Sequence, residues 1–444
     1  MKFFTTVKQK IGKLSDQAFL GSSPINPIIK ENRQMLEAEL KLSLESNEGI
    51  QALQDYSEIE TPASKEALSQ ISETLKKVEE SRRKMVEQLR LGFLRPFEYL
   101  SDVWKEVEIL KKEKQRAEKA LEHANKTLVK KQEKAEKNPE KMKENELELA
   151  EQEVKDAKEK LEKINYDLEQ KEEEFHQKKL NIIKNSFKVL IEQRKQFHNQ
   201  SKENIEKVKP PVLAIKVGTE GKLYANQIDT NDKEEKQEKS PFKSKIINFT
   251  ERITKTDLEL AKVIRENKQI LDAHSRLMKE TTEAISVYKS YAEKESPDIK
   301  GVLNRFAGAL EIIETNRQAF IEQMKFEFIE PLHKLSEDYK ILQEITKEAK
   351  RAEEKLEKAQ KKLKKIQEKP EEKRKPEDLT KAEQALHEAE MESEKAQTKL
   401  KTKSITFGTQ KAKTLKDSLN SLIERNLKFH QQASNIIQNA EILG

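Results

Sequence analysis

The sequence contains no cysteine and few of the residues from which a compact globular enzyme is built. Without cysteine there are no disulfides, no thiol catalysis and no zinc-thiolate sites, which suits a reducing compartment. Ten glycines and twelve prolines in 444 residues are too few for a sheet-rich fold with many tight turns. Aromatic residues make up 5% and charged residues 38% of the chain, so there are too few apolar residues for a large globular core. The composition predicts an elongated all-α protein.

Long apolar runs and enzyme motifs are also missing. No run is long enough to span a bilayer and the N-terminus lacks a signal-peptide core, so we expect a cytoplasmic protein that meets membranes only from the side. No glycine-rich phosphate loop or metalloprotease spacing occurs, and we predict no enzymatic activity, cofactor or metal. The seven histidines are scattered. His198 and His430 each follow a phenylalanine, and we expect both to border the helix bundle.

The chain contains two copies of one sequence pattern. The segment Phe93–Leu100 returns as Phe328–Leu335 at a shift of 235 positions, and beyond the middle of each copy the shift becomes 232, as with Phe175 and Phe407. Three residues therefore differ between the copies at one loop, where a length change disturbs no packing. The pattern indicates a nearly gapless duplication of one structural unit.

Each unit reads as three helices that form an antiparallel coiled coil. In the first unit the pattern predicts helices over 28–59, 62–136 and 140–207, with a kink at Pro96 and a turn at Asn138-Pro139. A seam of apolar residues at heptad spacing supports the pairing of the second and third helices; it consists of Leu147, Val154, Leu161, Leu168 and Phe175. The predicted domains are 1–208, with a leader helix over 1–20, and 241–444, joined by a flexible linker over 209–240.

This unit resembles a BAR domain. Phe93–Leu100 and Phe328–Leu335 are similar to the apolar-proline-apolar segment of that family, and Phe187–Phe197 and Leu419–Phe429 are similar to its third-helix end. Val7–Lys13 resembles the end of the amphipathic leader helix of amphiphysin-type members. The resemblance implies an elongated crescent that binds anionic phospholipid membranes and senses or generates curvature in trafficking events such as endocytosis. Familiar members carry one unit per chain, and this chain carries two in tandem.

The N-terminal leader has an apolar stripe and a basic remainder. Its candidate membrane-binding residues are Lys2, Phe3, Phe4, Val7, Lys8, Lys10, Ile11 and Lys13. Such a helix can lie in the membrane interface with its apolar side chains among the acyl chains, or pack on its own bundle, and we leave both open. For its internal copy, Phe242–Ile253, we favour packing.

The ends of the predicted arms are basic in both copies. The formal charge is +4 over 126–143 and +6 over 355–375. The candidate lipid-binding residues at these tips are Lys126, Lys130, Lys131, Lys134, Lys137, Lys141 and Lys143 in the first copy, and Lys361, Lys362, Lys364, Lys365, Lys369, Lys373, Arg374 and Lys375 in the second. Each charge near an anionic bilayer contributes on the order of 1 kcal/mol.

Three helices cannot bury their apolar seams alone, so each unit needs a partner. We favour an intramolecular pseudo-dimer of the two units over a homodimer of two chains. Nucleic acid is not expected, because the tips have few arginines and no aromatic side chains for base stacking. The alternative function is a coiled-coil scaffold that links protein partners without binding lipid; the amphipathic leader and the repeated basic tips favour the membrane.

Overall fold

The computed structural model describes residues 23–137, 140, 145–208, 212–218, 241–370 and 374–442. Within these residues the structure is helical and has no strand. The long helices are α1 (Asn26–Ser57), α2 (Pro62–Leu89), α3 (Arg95–Lys137), α4 (Asn145–Glu206), α5 (Pro241–Ala292), α6 (Pro297–Met324), α7 (Glu330–Gln367) and α8 (Pro376–Ile442). We call α1–α4 the first repeat and α5–α8 the second. The predicted all-α class and coiled-coil units are confirmed.

A π-helical turn joins α2 to α3 and α6 to α7. These turns cover Arg90–Leu94 and Lys325–Ile329, which correspond at the shift of 235. Each lies just before a proline, Pro96 or Pro331, which cannot donate a backbone hydrogen bond to the preceding turn. The wider turn accommodates that missing donor, so a π-bulge lies beside the position where we predicted a kink.

Each arm is an antiparallel pair of helices. In the first repeat, Tyr99 lies near Lys178 and the Nζ of Lys131 donates to the Glu146 carbonyl at 3.2 Å, so α3 and α4 run in opposite directions. In the second repeat, the ion pairs Lys355–Glu392 and Lys399–Glu348 join α7 to α8, so these two helices are also antiparallel.

The two repeats pack on each other through α1 and α5. Asn32 near the start of α1 bonds to Tyr288 near the end of α5, whereas Asp55 near the end of α1 pairs with Lys262, so the two helices are antiparallel. At the middle of this contact a small apolar cluster contains three pairs that correspond at the shift of 235: Met35 and Ile270, Ala38 and Ala273, and Leu42 and Leu277. A pseudo-twofold axis therefore passes between α1 and α5.

One apolar core runs through both repeats. Phe187 on α4 lies 5.4 Å from the ring centroid of Phe93 in its own repeat, and 5.4 Å and 5.3 Å from those of Tyr288 and Phe306 in the other. The internal copy of the leader contributes to this core, because Ile246, Phe249 and Ile253 are buried. The packing expected for that copy is confirmed for these three side chains.

The first part of the predicted linker is docked. Val212 and Ile215 are buried, and Lys416 on α8 donates to the carbonyl oxygens of Leu213 and Ile215, each at 3.0 Å. We expected a flexible tether over 209–240, but residues 212–218 cross onto the second repeat. The apolar side chains at 212 and 215 explain the difference.

Candidate functional site

The predicted basic tip of the first repeat lies at the C-terminal end of α3. Lys126, Lys130, Lys134 and Lys137 are exposed there, and Lys131 is half-buried because it donates to the facing helix. Lys126 also pairs with Glu122 at 2.6 Å. Beneath these lysines the two-helix arm is held by small buried side chains such as Ala124. At this end of α3 the exposed Lys126, Lys130, Lys134 and Lys137 outnumber the exposed Glu133 and Glu136.

The tip of the second repeat is built in the same way. The exposed basic residues at the end of α7 and in the turn that follows are Lys361, Lys362, Lys364, Lys365, Lys369 and Lys375. Arg374 has a different environment, since its guanidinium donates to the carbonyl oxygens of Lys369 at 2.6 Å and Gln367 at 2.5 Å. It caps the C-terminal end of α7, where unpaired carbonyl groups accumulate.

Some predicted site residues lie outside the described residues. They are Lys2, Phe3, Phe4, Val7, Lys8, Lys10, Ile11 and Lys13 of the leader, Lys141 and Lys143 of the first tip, and Lys373 of the second. Their membrane-binding role remains a prediction.

The centre of the molecule holds a polar feature that we did not predict. The Nδ1 atoms of His198 on α4 and His430 on α8 lie 2.9 Å apart, and both residues are only 2% exposed. We expected both to border the bundle; instead they meet inside it, because they correspond at the shift of 232 and the pseudo-twofold axis passes between them. Each ring also contacts the opposite repeat's phenylalanine, His198 with Phe429 and His430 with Phe197.

Buried ion pairs flank the two histidines. In the first repeat Arg82 contacts Glu39 at 2.6 Å and Glu79 at 3.0 Å, and its guanidinium covers the Phe197 ring. In the second, Arg317 contacts Glu314 at 2.7 Å and covers the Phe429 ring. These groups are satisfied by each other, as buried charges require.

The two halves of this cluster differ at two corresponding positions. Glu39 in the first repeat is replaced by His274 in the second, whose Nδ1 lies 3.2 Å from Arg317. Arg194, which lies 3.7 Å from Glu39, is replaced by Asn426. One acid and one base are therefore lost together. The buried charges sum to zero when the histidines are neutral, with the three arginines 82, 194 and 317 against the three glutamates 39, 79 and 314.

The electrostatics of the cluster keep its histidines neutral. Burial, followed by the charges of nearby arginines, lowers the pKa of His430 to about 3. Burial also holds the pKa values of His198 and His274 well below their ordinary range. Burial raises the pKa of Glu39, but Arg82 and Arg194 outweigh it, so the net pKa lies below its ordinary value. The carboxylate is therefore ionised while the imidazoles are not.

Two further ion pairs tie each arm to the opposite repeat. Lys179 on α4 lies 2.9 Å from Glu295, and Lys411 on α8 lies 2.7 Å from Glu60. The lysines correspond at the shift of 232 and the glutamates at 235. The pairs are thus the same interaction made twice across the pseudo-twofold axis.

In the described part of the chain, one group of carboxylates comes close enough to hold a metal ion. Ligand atoms of Glu31, Glu280 and Glu283 lie within 4.8 Å of one another across α1 and α5. Lys30 already donates to Glu31 at 2.8 Å, and this bond raises the pKa of Lys30. The ammonium group of Lys30 therefore supplies the positive charge that a metal ion would otherwise bring to these carboxylates.

Trp104 is half-buried at the edge of the core. Its ring centroid lies 4.8 Å from that of Phe175, and its Nε1 donates to Glu108 at 3.2 Å. Among the described residues no helix is long and apolar enough to cross a membrane.

Comparison with protein families agrees with this architecture. Residues 4–212 match the BAR domain family. The N-terminal half of the chain therefore contains a BAR domain. Residues 229–442 match the FAM92 protein family, so the two repeats match different family profiles. No curated protein and no solved structure shows a significant match. The presence of a BAR domain indicates association with membranes and their curvature in general terms.

Proposed function

We propose that this protein is a peripheral membrane protein of the cytoplasm that senses or generates curvature of anionic membranes during trafficking. The observation that carries the proposal is the pair of exposed lysine clusters at the ends of α3 and α7, each at the tip of an arm. Cations near an anionic bilayer each contribute about 1 kcal/mol. Several on one rigid body act together, so the shape selects the membrane and the lysines supply the affinity.

We also infer that the second repeat is a BAR unit and that one chain provides the pair that other members of the family obtain by dimerisation. The supporting observations are the shared core and the two corresponding ion pairs, Lys179–Glu295 and Lys411–Glu60. Light scattering of the full chain tests this directly. A mass of 51.7 kDa supports the pseudo-dimer, and twice that mass contradicts it.

Sedimentation with vesicles that contain phosphatidylserine tests membrane binding. We expect the full chain to pellet at low salt and to be released as salt rises, because screening weakens surface charges. A variant with Lys130, Lys134, Lys361 and Lys365 changed to glutamate should bind at least tenfold more weakly. A matched control carries the same four-charge change in the middle of the arms, at the exposed residues Lys155, Lys158, Lys401 and Lys403.

The vesicle experiment also separates this function from that of a coiled-coil scaffold. A scaffold without lipid affinity would stay in the supernatant at low salt. Equal losses in the tip variant and the control would mean that binding depends on total charge, which contradicts a role for the tips.

The leader offers a second route to the membrane. We propose that Phe3, Phe4, Val7 and Ile11 insert into one leaflet, because an amphipathic helix with lysines on its polar face favours the interface. Removal of residues 2–14 should then reduce tubulation of vesicles more than it reduces sedimentation. Equal tubulation by the shortened and full chains would contradict insertion.

A further inference from the structure

The contact between His198 and His430 allows only certain protonation states. An Nδ1–Nδ1 distance of 2.9 Å is a hydrogen bond in which one nitrogen donates and the other accepts. Two neutral rings of opposite tautomer satisfy it. Two protonated rings would point two N–H groups at each other, so the contact breaks when both rings are charged.

The surroundings also disfavour an added proton. The charged or titratable groups that face the pair are Glu39 on α1, Glu79 and Arg82 on α2, Arg194 on α4, His274 on α5, and Glu314 and Arg317 on α6. Each of the three carboxylates already contacts an arginine, and the sum of the ionised groups is zero. A new imidazolium would therefore stand beside arginines with no carboxylate left to balance it.

A cavity lies beside this cluster. It has a volume of about 60 Å³, and its polar lining consists of Ser46, Glu79, Arg82, Asn267, His274, Asn426 and His430. A polar cavity of this size has room for about two water molecules. The position that corresponds to it across the pseudo-twofold axis carries the larger side chains of Tyr288 and Arg194 in place of Leu53 and Asn426. The cavity therefore borders the pair on the His430 side.

We propose that the His198–His430 contact is an acid-sensitive lock, which holds the two repeats together while both rings are neutral and releases them when the rings are protonated. The lock rests on the proposed pairing of the repeats within one chain. At low pH the two repeats therefore separate, and the paired crescent is lost.

The sign follows from the lowered pKa values. Histidines freed from the cluster bind protons below about pH 6.5, whereas His430 in the cluster has a pKa of about 3 and the other two are also lowered. The open state therefore binds more protons between these limits, and closure is lost as pH falls. From pH 7.5 to 5.0 the shift of His430 alone favours opening by about thirtyfold.

Spin labels across the interface test the lock. Because the chain has no cysteine, Gln54→Cys on α1 and Lys268→Cys on α5, both exposed, can be labelled selectively. We expect one short distance at pH 7.5 and a second, longer population at pH 5.0. In the background of His198→Asn with His430→Asn, whose amides can form the hydrogen bond without titrating, the short distance should persist at pH 5.0. His333→Asn, an exposed site, should behave as wild type.

The outcomes separate the lock from its premise. Unchanged distances in the wild type at pH 5.0, or equal opening in the double variant, overturn the lock. A dimeric mass at pH 7.5 removes the premise instead. If the double variant does not fold, NMR titration of the wild-type histidines decides: buried rings that titrate near pH 6.5 without opening overturn the proposal.

Discussion

The Nζ of Lys411 lies 2.7 Å from a carboxylate oxygen of Glu60, and this ion pair joins α8 of the second repeat to the α1–α2 loop of the first. The two side chains are 6% and 1% exposed. Its counterpart across the pseudo-twofold axis is the Lys179–Glu295 pair, in which the two atoms lie 2.9 Å apart. An ion pair therefore joins the base of each arm to the opposite repeat. Loss of this contact would favour separation of the two repeats.

Lys411→Met should lower the free energy of unfolding by about 3 kcal/mol, because it leaves the Glu60 carboxylate buried without its cation. Lys411→Met combined with Glu60→Met should cost less than the single change, since no charge is then stranded. Urea denaturation measures both. Lys399→Met serves as the control, because the Lys399–Glu348 pair is about half exposed and should cost about 1 kcal/mol or less. Equal losses at Lys411 and Lys399 would contradict a buried tie.

Gly92 in the first π-turn allows α4 to approach closely. A Cβ atom at this position would lie 2.8 Å from Cγ1 of Val189, a stiff β-branched side chain. Gly92→Ala should therefore destabilise the protein by about 1–3 kcal/mol, and Val189→Ala should partly rescue it.

Gly308 on α6 provides the matched control for Gly92, since a Cβ there meets nothing within 4 Å. Gly308→Ala should be neutral or stabilise by up to about 1 kcal/mol through helix propensity. Thermal unfolding of both variants gives the comparison. A loss at Gly308 equal to that at Gly92 would mean that close approach is not the cause.

The helices and their duplication were predictable from the sequence because both depend on local signals. Heptad spacing from Leu147 to Phe175 fixed the seam, and Pro62 and Pro297 fixed the starts of α2 and α6. Pro96 predicted a kink, but it did not predict that a π-turn would precede it. Local periodicity does not carry that information.

The central polar cluster was not predicted because it forms only where the two repeats meet. Within one repeat, a histidine that follows a core phenylalanine is expected at the boundary of the bundle. It becomes an interface residue because the opposite repeat covers it. One signal was available: Glu79, Arg82 and His198 all recur at their shifts as Glu314, Arg317 and His430. Polar residues kept in both copies of a duplicated helix indicate a shared buried role.

The paired replacement of Glu39 and Arg194 by His274 and Asn426 predicts a strong coupling. Glu39→His alone should cost about 3–5 kcal/mol, because Arg82 and Arg194 then share too little negative charge. Adding Arg194→Asn reproduces the arrangement of the second repeat and restores the charge balance. The double variant should recover about 2 kcal/mol in denaturant unfolding, within the range for residues in one network. Additive losses would show that the two residues do not act as a unit.

The central cavity predicts a stabilising substitution. Leu53 lines the cavity and corresponds to Tyr288, whose hydroxyl donates to Asn32 on the other side of the axis. Leu53→Tyr should fill the cavity and place its hydroxyl near Asn267, the counterpart of Asn32. Ser46 and Gly49 also line the cavity and are smaller than their counterparts, Thr281 and Ala284. The tyrosine ring therefore has space.

We expect Leu53→Tyr to raise the free energy of unfolding by about 1 kcal/mol, which is typical of cavity filling. Adding Asn267→Leu should remove part of that gain, because the buried hydroxyl then lacks its partner. Tyr288→Leu is the reciprocal control, and it should destabilise by opening a second cavity and removing the hydroxyl that donates to Asn32 Oδ1. A loss of stability in Leu53→Tyr would mean that the cavity is too rigid to admit the ring and that its two sides differ in backbone as well as in side chains.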